Sequence, residues 1–162
     1  MMKTLMISAA LGAVMLASPA FAQVMTPAEY VMTAGASDLY EITSSRIVLE
    51  TTRNPQLRDF AQMMVTDHTK STADVKAAAG KSRVRAAPPQ LNPLQQELVT
   101  ELRAENGPAR DAAYIAQQKA SHGQALNIQK AYAMEGAAPA LKSAASTIVP
   151  IVEHHIMMLM NM

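Results

Sequence analysis

The sequence predicts an all-α fold, a four-helix bundle with a short extra helix in the connection between helices two and three. Three observations carry the prediction. Proline follows a capping or small residue at five places: Thr26-Pro27, Asn54-Pro55, Asn92-Pro93, Gly107-Pro108 and Ala138-Pro139. Glycine falls where helices should end, at Gly80, Gly107 and Gly136. This is the expected asymmetry, because proline at the first helical position gives up an N–H that has no partner there and glycine relieves strain at the C-terminus. Apolar residues recur at three-and-four spacing, and nowhere with the period of two that a half-buried strand requires.

Helix one opens at Thr26-Pro27-Ala28-Glu29, a capping box, and is expected to run to about Thr52. It has two candidate inner faces. One gathers Val31, Gly35, Leu39, Ile42 and Leu49; the other gathers Ala34, Ser37, Glu41, Ser45 and Val48. Periodicity does not choose between them. Helix two starts at Asn54-Pro55, carries Leu57, Phe60, Ala61, Met64, His68, Thr72 and Val75 on one stripe, and stops near Gly80. A basic connector with Lys81, Arg83, Arg85 and Pro88-Pro89 leads to the short helix over residues 93 to 105, through Leu94, Leu98 and Leu102. Helix three opens at Pro108, presents Asp111, Ile115, Gln118, His122, Leu126, Gln129 and Ala133, and ends at Gly136. Helix four begins at Pro139 with a stripe of Leu141, Ala145, Ile148, Val152, His155 and Leu159. Pro150 within it is expected to kink the helix, since it removes a hydrogen bond to the Ser146 carbonyl.

Ahead of these helices, Lys3 precedes an apolar run and then Ala20-Phe21-Ala22, a small-x-small cleavage site. Residues 1–22 are therefore expected to be a signal peptide cleaved after Ala22, leaving residues 23–162 as a single domain that is periplasmic or secreted. No transmembrane segment is expected in the mature chain, because no later stretch approaches the roughly 18 apolar residues of a span. The whole sequence of 162 residues contains no Cys and balances 14 Lys and Arg against 13 Asp and Glu. A charge so even excludes the electrostatic attraction that nucleic-acid binding requires. A protein partner or an oligomer is left open, the basic connector being one contact candidate.

The run Phe60-Ala61-Gln62-Met63-Met64-Val65-Thr66-Asp67-His68-Thr69, the run Arg110-Asp111-Ala112-Ala113-Tyr114-Ile115 leading to His122, and Leu141-Lys142 through Pro150 to His155 resemble the domain-of-unknown-function family 4142. The resemblance covers essentially the whole mature chain, including Glu41-Ile42. It implies an exported, ferritin-like four-helix bundle, and it implies that the small, polar face of helix one, with Glu41 and Val48, looks inward. It implies no settled activity.

Glu41, His68, His122 and His155 lie 14, 13, 14 and 16 residues after Pro27, Pro55, Pro108 and Pro139. Each is near the middle of its helix, so the four side chains should share one layer within about 5 Å axially at 1.5 Å per residue. His155 falls on the core stripe of its helix, whereas His154 is turned 100° away. Two readings of the layer follow. In the favoured one it is packing, with the imidazoles hydrogen-bonded to Glu41, Ser45, Gln118 or Asp111. In the other, Glu41, His68, His122 and His155 hold a single transition-metal ion such as zinc, or copper with nearby Met sulfur. A di-iron site is disfavoured, because Val65, Val152 and Ile151 occupy the positions where Glu-x-x-His motifs would need glutamate. Met157, Met158, Met160 and Met162 after His154-His155 offer soft ligands for cuprous ion or plain packing at a helix end. No catalytic residues emerge: there is no nucleophile motif, no paired acids and no phosphate loop. The expectation is a non-enzymatic exported bundle, a binding or stress-related module, with a metal-binding bundle of redox or metal-handling role as the alternative.

Overall fold

A computed structural model describes residues 25–162; the expected signal peptide lies outside the described residues. Five helices follow in order: α1 (Pro27–Leu49), α2 (Pro55–Lys81), α3 (Pro93–Ala104), α4 (Gly107–Glu135) and α5 (Pro139–Met160). There is no strand among the described residues. Proline occupies the first turn of every helix. At α1, Thr26 and Glu29 form the expected capping box, and Asn92 with Gln95 forms a second one at α3. Asn54 caps α2 by accepting from the Leu57 N–H.

Two boundaries differ from expectation. Helix α1 ends at Leu49 instead of Thr52, where the Ile47 carbonyl accepts from the Glu50 N–H at 3.3 Å and from Arg110 of α4 at 3.0 Å. Helix α4 takes in Gly107, whose φ of 51° lies in the left-handed region that glycine adopts without strain. Helix α5 continues unbroken past Pro150, which sits on the exposed side, so water can satisfy the Ser146 carbonyl.

The four long helices form the bundle, and each is antiparallel to both of its neighbours. Tyr30 near the start of α1 donates to Gln129 near the end of α4 at 2.6 Å, while Ile47 near the end of α1 meets Arg110 near the start of α4. Leu57 and Leu159 share one core cluster, and Val75, Ala78, Leu141 and Ala145 share the other, so α2 and α5 also run in opposite senses. In such a ring α2 and α4 point the same way, and the chain between them must travel the length of the bundle. Residues 82–106 make that return, with α3 as their ordered part. This is a bundle with one long crossover, the connectivity of ferritin-like folds.

Helix α1 resolves its ambiguity by burying a broad arc. Of the small and polar face Ala34, Glu41, Ser45 and Val48 are buried and Ser37 half-buried, with Asp38 buried beside them; of the other face Val31 and Gly35 are buried, while Leu39, Ile42 and Leu49 are only half-buried. The apolar core is split in two: Tyr30, Val75, Tyr132, Leu141 and Val152 at one end, and Ile47, Leu57, Phe60, Tyr114 and Leu159 at the other. A polar layer from all four helices lies between them.

Candidate metal centre

The layer is built from the middles of the helices. His68 on α2, His122 on α4 and His155 on α5 are buried, at 7%, 1% and 0% exposure, and their ring centroids stand 5.3 to 6.0 Å apart. Phe60 packs edge-on against His155 and forms part of the apolar wall on one side. Each imidazole offers one nitrogen to a group in which all three lie within 4.8 Å of one another. His154 is exposed on the outside of α5.

The outward nitrogens are each held by an acceptor. Nδ1 of His68 is 2.8 Å from Asp38 Oδ1, and the other carboxylate oxygen of Asp38 accepts from the Thr72 hydroxyl at 3.0 Å. Nε2 of His155 lies 3.0 Å from Asp67 Oδ2. Nδ1 of His122 lies 2.9 Å from the Gln118 carbonyl oxygen. Carboxylates and a carbonyl accept and cannot donate, so these three nitrogens carry the protons. The inward nitrogens are then His68 Nε2, His122 Nε2 and His155 Nδ1, with their lone pairs facing inward. His122 Nε2 and His155 Nδ1 are 3.3 Å apart, and His68 Nε2 is buried with no hydrogen-bond partner.

Glu41 shares the layer but not this inner face. Its Oε1 is 3.9 Å from His122 Nδ1, the nitrogen turned to Gln118, and its oxygens accept from Gln118 Nε2 at 2.5 Å and Ser121 Oγ at 2.8 Å. Of the partners expected for a packing layer, Gln118 is present through its backbone carbonyl. Ser45 pairs with Tyr114 instead and Asp111 with Thr52, because they sit about one turn and about three turns from the layer, toward the Phe60 and Tyr114 end of the bundle. Asp38 and Asp67, which orient two of the three rings, were not anticipated from the sequence. Asp67 directly precedes His68 yet serves His155 across the α2–α5 seam, a pairing that spacing along one helix does not reveal.

Electrostatics separates the three rings. Burial lowers the pKa of His122 to about 4, helped by the charge of His68. Burial likewise lowers His155 to about 4, against the hydrogen bond to Asp67. His68 is raised: burial opposes its charge, but the Asp38 hydrogen bond and the charges of Glu41, Asp38 and Asp67 outweigh that. Glu41 is raised by its complete burial, partly offset by His68 and by the bonds from Ser121 and Gln118.

Residues 13–162 match the domain of unknown function DUF4142. The chain belongs to this family. Among solved structures, the DUF4142 chain is similar to a DUF305 protein from Streptomyces coelicolor described as secreted, with a TM-score of 0.67 at 13% identity, covering 80% of this chain and 85% of that one. At that identity the likeness speaks for the fold alone. No curated protein matches the chain. None of the described helices is long and apolar enough to cross a membrane.

Proposed function

We propose that this DUF4142 protein is an exported, non-enzymatic metal-binding module in which His68 Nε2, His122 Nε2 and His155 Nδ1 hold one transition-metal ion, zinc or copper. The observation that carries the reading is the direction of the lone pairs. A packing layer of histidines would alternate donors and acceptors, whereas here all three outward nitrogens are committed as donors and three acceptors face one another. Adding a proton to His68 does not cure this, because its Nε2 then becomes a buried donor without an acceptor. A cation at the centre satisfies all three at once. Ligating histidines characteristically give their other N–H to a carboxylate or carbonyl, the arrangement seen at each ring.

One of the three spacings already has the length a metal requires, and all three nitrogens lie within 4.8 Å of one another. Zinc–nitrogen bonds of about 2.0–2.1 Å at a tetrahedral angle separate two ligand nitrogens by about 3.4 Å, and His122 Nε2 and His155 Nδ1 are 3.3 Å apart. Asp38, Asp67 and Glu41 supply negative charge around the ion, with Glu41 acting behind the His122 ring. Burial of all three imidazoles, and their absence from the walls of the grooves between α1 and α4 and between α2 and α5, favours holding an ion over turning over a substrate.

Elemental analysis of the untagged mature protein purified from the periplasm tests the proposal. About one zinc or copper ion per chain is expected, retained in His154→Ala and lost in His68→Ala, His122→Ala and His155→Ala. Wild-type protein that takes up neither metal when offered zinc or cuprous ion would overturn it, as would loss of metal in His154→Ala alone.

A further inference from the structure

The α1–α4 seam opens into a groove of about 1130 Å³, closed over by the segment from Arg85 to Leu98. It is large for a small-molecule pocket, which typically measures about 300–1,000 Å³. Along α1 it extends from Ala28 to Tyr40 and along α4 from Ala116 to Ile128, so it is about 18 Å long at 1.5 Å per residue. Small residues leave the space open: Ala36 on one side and Ala116, Ala120 and Ala125 on the other fill little of it. The strap is held in place without filling the groove. Pro89 rests on Gly35, where an added Cβ would meet the proline ring at 3.2 Å, and α3 is tied down by Gln117 Nε2, which donates to Glu101 Oε2 at 2.9 Å.

Its chemistry is one-sided. The more deeply set polar side chains of the inner wall are partnered, Tyr40 donating to Gln117 Oε1 at 2.9 Å and Ser121 to Glu41 Oε1 at 2.8 Å; Thr33, Ser37 and Gln124 add a few further polar atoms to a lining that is otherwise mainly carbon. Met32 and Leu94, two of the large apolar side chains that stand in solvent, are 67% and 57% exposed and both line this groove. No Asp or Glu lines it, and its one charged side chain is Arg85, which makes no ion pair among the described residues. Arg85 follows Val84, which packs on the Tyr30 and Tyr132 end of the core, so the cation lies toward one end of the long axis.

We propose that this groove binds one molecule of a long-chain carboxylate, its head on Arg85 and its chain along Val31, Ala36, Ala120 and Leu98. An elongated apolar trough with a single cation toward one end and no anion complements a single-chain anionic amphiphile. A peptide would leave backbone polar groups without partners against such a wall. This proposal is independent of the histidine layer.

The test is titration of the metal-free mature chain with a dansyl-labelled fatty acid, followed by displacement with unlabelled hexadecanoate and with hexadecanol. Saturable one-to-one binding is expected, with hexadecanoate the better competitor. Arg85→Glu should weaken the carboxylate at least about tenfold and leave the alcohol unchanged. Ala120→Trp, which fills the trough from an exposed helical position, should abolish both; if circular dichroism shows it unfolded, Ala116→Trp is read in its place. Absence of saturable binding, binding undiminished by the tryptophan, or equal weakening of carboxylate and alcohol by Arg85→Glu would overturn the proposal. So would association with anionic vesicles but not with the monomeric acid.

Discussion

Asp38 fixes the ring of His68 through a 2.8 Å contact to Nδ1, and it does so from a buried position where no water can replace it. Asp38→Asn keeps the shape but weakens the acceptor and removes a charge from the shell of the proposed ion. Metal affinity should fall about 10- to 100-fold with the fold intact, measured by competition with a chromogenic chelator. A different residue-scale constraint acts at Gly136. A Cβ there would lie 2.6 Å from the Tyr132 ring, which itself stacks on Tyr30 at 3.8 Å between centroids. Gly136→Ala should therefore destabilise the protein by about 1–3 kcal/mol through forced displacement of that stack, read as a lower urea midpoint with an unchanged slope.

Among the elements, α2 depends most plainly on its cap. Asn54 accepts from the Leu57 N–H at 3.3 Å at the start of a 27-residue helix that supplies His68 and Asp67. Asn54→Ala should cost about 1 kcal/mol, with the loss appearing in thermal unfolding and not in metal stoichiometry, since the layer lies three to four turns away. The crossover element is legible for a different reason. Asn92 and Gln95 cap α3 as their spacing predicts, and burial of Val99 and Leu102 anchors it by about 1.5–3 kcal/mol each. Where α3 lies could not be read, because its position depends on Gln117 of another helix and on the bare backbone of Gly35.

At the scale of the whole molecule, the buried layer makes stability depend on pH. His122 and His155 have folded pKa values of about 4 against an ordinary 6.5, so the unfolded chain binds more protons between those values. Their contribution is fully present above pH 6.5 and is lost as pH falls toward 4, by up to about 1.4 kcal/mol per pH unit for each histidine. His68, raised, has the opposite sense: its contribution is complete below 6.5 and declines as pH rises through its folded value. Glu41, also raised, offsets part of the acid loss, since its contribution grows as pH falls toward 4.5. Metal-free protein should therefore show a lower urea midpoint at about pH 5 than at about pH 7. Alanine at both His122 and His155 should flatten that dependence.

Helix number, order and, to within a residue, starts were settled by local chemistry, whereas the end of α1 was not. Proline after Thr26, Asn54, Asn92, Gly107 and Ala138 fixes each start through groups within a turn of it, and Gly136 ends α4 in the same local way. Equal offsets from those starts were enough to place His68, His122 and His155 in one layer. Tertiary structure alone decided which nitrogen of each ring faces inward. That choice rests on Asp38, Asp67 and the Gln118 carbonyl, and two of these three acceptors belong to a helix other than that of the ring they hold. It also decided that α1 and α4 stand apart beneath the strap. Hydrogen-bond partners and empty space between helices are properties of pairs of helices in three dimensions, and the periodicity of a single helix carries no record of them.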